Sequence, residues 1–96
     1  MSYEKVREEF IKCAEEYITA KRQPFEKLSG TELELAKYQY LENFQDYINH
    51  LNFLINDKLE EFLISFKSRE EANAFQDFMK PTFEMVSGKY TDGLMD

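Results

Sequence analysis

One cysteine, one histidine, two prolines, three glycines and no tryptophan leave this chain little of what disulfide scaffolds, metal centres and turn-rich folds are built from. Cys13 has no second cysteine to pair with, so an oxidising compartment offers the fold nothing. Structural zinc needs about four Cys or His ligands, and only Cys13 and His50 exist. The paired Glu-x-x-His motifs of a di-iron bundle and the alternating acids of a calcium loop are missing. Gly30, Gly88 and Gly93 are isolated, so no glycine cluster can cradle a phosphate. The shortage of glycine and proline argues against a many-turned all-β fold. No apolar run approaches the ~18 residues that span a bilayer. The start, Met1-Ser2-Tyr3-Glu4-Lys5, lacks the apolar stretch of a signal peptide. These absences predict a cytoplasmic protein with no metal, no cofactor and no membrane partner.

Basic residues are also in deficit. The formal charge is −7, and it is unevenly placed. Residues 1–22 hold five acids and five bases, whereas residues 23–96 hold fourteen acids and seven bases. Direct nucleic-acid binding rests on Lys and Arg neutralising phosphates, and an anionic lipid surface makes the same demand. The balance disfavours both and points to solubility or to a protein partner with a basic surface.

What the chain does have is aromatic surface, nine Phe and six Tyr in 96 residues. From Tyr3 to Arg22 the apolar residues Tyr3, Val6, Phe10, Cys13, Ala14 and Tyr17 recur at helical spacing, with Ser2 as an N-cap. Residues 23–30 form a connector, and Pro24 ends the first helix. Thr31-Glu32-Leu33-Glu34 reads as a capping box that opens the next. Leu33, Tyr40, Leu41, Phe44, Tyr47, Ile48, Leu51, Leu54, Ile55, Leu59, Phe62 and Phe66 share one broad arc. That arc predicts one long central helix from Thr31 to about Phe66, roughly 50 Å at 1.5 Å per residue. Leu35, Phe53 and Ile64 miss it.

The alternative breaks the stretch at Asn56-Asp57, both turn formers. A helix could restart at the box Asp57-Lys58-Leu59-Glu60, or residues 50–67 could form a β-hairpin with Phe62, Ile64 and Phe66 alternating. Ser68-Arg69-Glu70-Glu71 is the clearest helix start, and Pro81 ends or kinks the helix that follows. The fold class is therefore mainly α, a small antiparallel bundle with a long central helix; the alternative is α+β. Residues 1–86 make one domain and residues 87–96 a flexible tail.

No catalytic constellation emerges. Cys13 lies on an apolar helix face, where cysteine is commonly an inert small hydrophobe. The paired carboxylates fall on outer faces or at helix starts, and an acid–base pair needs a cleft that desolvates one member. The apolar positions exceed the ~20 that a three-helix core of this size holds at normal packing density. Tyr38, Phe53, Leu63 and Ile64 are left over as candidate partner-binding residues. Glu42, Asp46, Asp57, Glu60, Glu61, Glu70, Glu71 and Asp77 form the candidate acidic surface. The expected function is that of a non-enzymatic interaction protein, a small acidic regulator or inhibitor that masks a partner's surface, forming a homodimer through its central segment. A DNA-mimic inhibitor of a DNA-binding protein is the second reading. An enzyme without a recognisable motif is the third.

Overall fold

A computed structural model describes residues 3–94. The chain folds into four α-helices, α1 (Tyr3–Arg22), α2 (Gly30–Glu42), α3 (Phe44–Glu61) and α4 (Arg69–Thr91), with a 3-10 turn at Gln23–Lys27 between the first two. No strand occurs among the described residues. The fold is mainly α, and the hairpin alternative over residues 50–67 is overturned: residues 50–61 are helical and 62–68 are an irregular turn. Tertiary packing decides the competition, because Leu51, Leu54 and Lys58 are buried along one face of α3, a period that a strand cannot supply.

α1, α3 and α4 make a three-helix bundle. Tyr3 of α1 meets Phe75 and Phe78 of α4, and Phe10 meets Phe83, so α1 and α4 run parallel. Tyr3 lies near Phe66 and Tyr17 near Tyr47, so α3 runs antiparallel to both. Val6, Phe10, Ala14, Tyr47, Leu51 and Val86 are fully buried between them. α2 runs almost end to end with α3, and the molecule is 53 Å long but only 21 by 17 Å across. α2 packs on the 3-10 turn and delivers Tyr40 to the core. Its N-terminal half stands beyond the ends of α1 and α4.

Several boundaries differ from expectation. The single long central helix is interrupted at Asn43 (φ −86°, ψ 13°), whose N–H bonds the carbonyls of Gln39 and Tyr40 and bends the rod rather than ending it. Ser29, not Thr31, takes the N-cap position of α2, and its side chain makes no capping bond. At α4 the cap is made: the Ser68 hydroxyl accepts from Glu71 N–H at 3.2 Å, and the Glu71 carboxylate accepts from Lys67 N–H at 2.8 Å. Pro81 does not end α4. Residues 87–91, expected as part of a flexible tail, continue the helix, with Tyr90 buried at its last turn. The missing proline N–H is offset by burial of Thr82, Val86 and Tyr90 beyond it. The proposed Ser2 cap lies outside the described residues, as do residues 95 and 96.

An aromatic cluster locks the end of the bundle where α2, α3 and α4 meet. The rings of Tyr40 and Tyr90 stack at 4.0 Å, nearly parallel at 7°. Each donates its hydroxyl to the other's backbone carbonyl. Tyr47 stacks on Tyr90 at 4.6 Å and donates to the Val86 carbonyl at 2.8 Å. Arg22, the last residue of α1, donates to the carbonyls of Lys89 and Tyr90 and so caps the C-terminus of α4. Burial raises all three phenols above their ordinary value of 10, Tyr90 to about 12. For Tyr40 the Arg22 guanidinium partly opposes that rise.

Candidate interaction surfaces

The fold absorbs most of the aromatic surplus. Of all Phe and Tyr residues only Tyr38 and Phe53 are exposed, each to 62%. Leu35 (57%) and Leu63 (86%) are exposed as well. Ile64 is not: it is half-buried and packs against the core. The reason is the way α3 ends. Leu63 adopts a left-handed conformation (φ 57°). Its N–H bonds the Glu60 carbonyl, and Ile64 N–H bonds the Leu59 carbonyl at 2.8 Å. This is a Schellman motif, and the reversal it makes carries Ile64 back against the core. Thus three of the four proposed anchors are available to a partner and one belongs to the core.

Phe53 sits on the outer face of α3. Helical spacing places Glu42, Asp46, Asp57 and Glu60 along that same face, above and below it. All four are exposed; Asp57 is paired with Lys58, and Lys21 of α1 borders the same hollow as Asp46, whereas Glu42 and Glu60 have no salt bridge among the described residues. The nearest base in sequence, Lys58, points to the inner side. Its stem is buried, and its Nζ donates to Glu61 at 2.9 Å and lies 4.0 Å from Asp57. That hydrogen bond is the main cause of its raised pKa. Glu61 is therefore partly neutralised. Glu70 and Glu71 stand in the first turn of α4, where they favour the helix N-terminus. Asp77 is exposed on α4, apart from the stripe. The structure thus gathers four of the eight proposed acids around Phe53 and scatters the rest.

His50 explains how Phe53 is held. Its imidazole stacks on Tyr17 of α1 at 4.6 Å, and the Phe53 ring follows at 6.2 Å, nearly parallel at 22°. The three rings form a short ladder from the core edge to solvent. Cys13 is half-buried against the core. Among the described residues no group of three or more His, Cys, Asp or Glu is arranged to hold a metal ion. No helix among them is long and apolar enough to cross a membrane. Three bases of α1 lie over aromatic rings, Arg7 over Phe78, Lys21 over Tyr17 and Arg22 over Tyr40.

A second surface was not foreseen from the sequence. α3 and α4 leave a valley between them on the side away from α1. Its wider part has a volume of about 600 Å³. Ile55 and Leu59 of α3, Phe75, Met79 and Phe83 of α4, and Phe66 of the turn line it, and Lys80 and Glu84 stand on its rim. Further along, Leu41 of α2, Phe44 of α3 and Ser87, Gly88 and Thr91 of α4 line a smaller apolar hollow. Ile55, Leu59 and Phe66 were assigned to the core, and only the angle between two helices distant in sequence could reveal the gap.

Comparisons with protein-family models, with curated proteins and with solved structures found no match for this chain.

Proposed function

We propose that the protein is a non-enzymatic regulator that masks a basic surface of a protein partner, with Phe53 as the central anchor. The observation that carries this reading is one exposed aromatic ring, stacked on His50, in a predominantly acidic stripe with Glu42, Asp46, Asp57 and Glu60. A large, rigid ring contributes contact area at small entropy cost, and surrounding charges steer a partner of opposite sign. An interaction role suits a surface of this kind better than DNA mimicry does. Mimicry calls for a continuous file of negative charge, whereas Asn49 and Phe53 occupy the stripe between Asp46 and Asp57.

Affinity capture from the native cell, run in parallel with Phe53→Ala and with Asp46→Lys/Asp57→Lys, tests the proposal. A partner retained by the wild type should fall at least about tenfold with either variant, as expected for a central anchor or reversed steering charges. Its binding should also weaken as salt is raised. Equal capture by all three proteins, each shown to be folded by circular dichroism, would remove Phe53 and its acids from any role in binding.

A further inference from the structure

Two surfaces on this chain are incomplete, and they fit each other. The α2 arm carries Leu35 and Tyr38 exposed, and α2 packs only on the connector and on α3. The α3–α4 valley has an apolar floor with Asn52, Asn56, Gln76, Lys80 and Glu84 along its sides, which suits an amphipathic helix. We propose that the chain forms a two-fold homodimer in which the α2 arm of each protomer, led by Tyr38, lies in the α3–α4 valley of its partner. This develops the interaction reading but uses another face, since Phe53 lies on the flank of α3 beside α1 and stays free.

Three observations select a second copy as the occupant. The first is length. Thr31–Tyr38 of the arm spans about 12 Å as helix, within the roughly 20 Å that Ala72–Glu84 of α4 offers along the valley. The second is direction. In one protomer α2 and α3 run opposite to α4, so a two-fold axis across the rod brings the arm of one copy parallel to α4 of the other. The third is charge. In that parallel sense Glu34 and Lys37 of the arm meet Lys80 and Glu84 of the partner's rim, opposite signs at both positions. The reversed sense would set Glu34 against Glu84 and Lys37 against Lys80. The charges therefore select the same direction as the two-fold symmetry. Symmetry also makes the contact occur twice, which carries a small arm toward the ~1,200–2,000 Å² of a stable interface.

Sedimentation equilibrium of the full chain into the high micromolar range tests the proposal. A concentration-dependent dimer is expected. Tyr38→Ala should raise its dissociation constant about tenfold or more, as for a central aromatic anchor. Lys80→Glu should weaken it similarly, and Glu34→Lys combined with Lys80→Glu should recover most of the loss. All these positions are exposed, and circular dichroism confirms that each variant is folded. Phe53→Ala should leave dimerisation unchanged, so failure of the dimer and failure of the masking surface are read separately. A strict monomer overturns the inference and leaves the valley to a foreign helix. A dimer indifferent to Tyr38→Ala and to the charge reversals overturns it too, because the copies would then meet elsewhere.

Discussion

Leu63 is the residue whose conformation fits its chemistry least. An L-residue other than glycine in the left-handed region carries a penalty of about 1–2 kcal/mol, and the Leu63 side chain is 86% exposed and recovers little of it by packing. Glycine is the common occupant of this position in a Schellman motif. Leu63→Gly should therefore stabilise the protein by about 1 kcal/mol after the greater freedom of glycine in the unfolded chain is subtracted. Urea denaturation measures this directly. A destabilised variant would show that the leucine side chain holds the turn. Lys58 makes a related point. It occupies a core-facing position of α3, where its methylene stem fills apolar space and its ammonium reaches out to Glu61. Its charge disqualified it from the apolar arc, although its stem behaves as part of it.

At the scale of elements, the local signals that held were those in which sequence neighbours suffice. α1 spans Tyr3–Arg22 as its apolar spacing predicts, and the Ser68 cap forms with its own Glu71. Replacing that hydroxyl, Ser68→Ala, should cost about 1 kcal/mol by leaving an N–H of the first turn of α4 without its partner. The change is measurable as a lower urea midpoint with an unaltered slope. Other local signals were overruled. The box at Thr31 is not used, the turn pair Asn56-Asp57 stays helical, and Pro81 is carried inside α4. Each stands next to residues that must be delivered to the bundle, and their burial outweighs a propensity worth less than about 1–3 kcal/mol.

For the whole molecule, the buried tyrosine cluster predicts a pH limit. Tyr40, Tyr47 and Tyr90 keep their protons in the folded state above the ordinary value of 10, because burial penalises the phenolate. Above that pH the unfolded chain releases protons that the native state retains, so ionisation favours unfolding. Stability should be insensitive to this cluster below about pH 10 and decline as the pH rises through about 12, the value for Tyr90. Denaturant curves at successive alkaline pH values, with phenolate absorbance followed in parallel, check the sign. Three tyrosines that ionise only as the helical signal is lost are expected. Free ionisation of all six with helix intact would contradict the buried cluster.

The sequence by itself determined the extent of α1, the start of α4 and the outward placement of Tyr38 and Phe53. Each of these follows from periodicity or capping within a few residues. Tertiary structure decided the bend at Asn43, the passage of α4 through Pro81 to Tyr90, and the return of Ile64 to the core. It also selected helix over hairpin for residues 50–61 and opened the valley between α3 and α4. These depend on contacts between segments tens of residues apart, such as Tyr40 with Tyr90 and Arg22 with the end of α4. Helical period says which side of a helix is apolar. It does not say how closely two such sides approach, and that distance separates a filled core from a surface open to a partner.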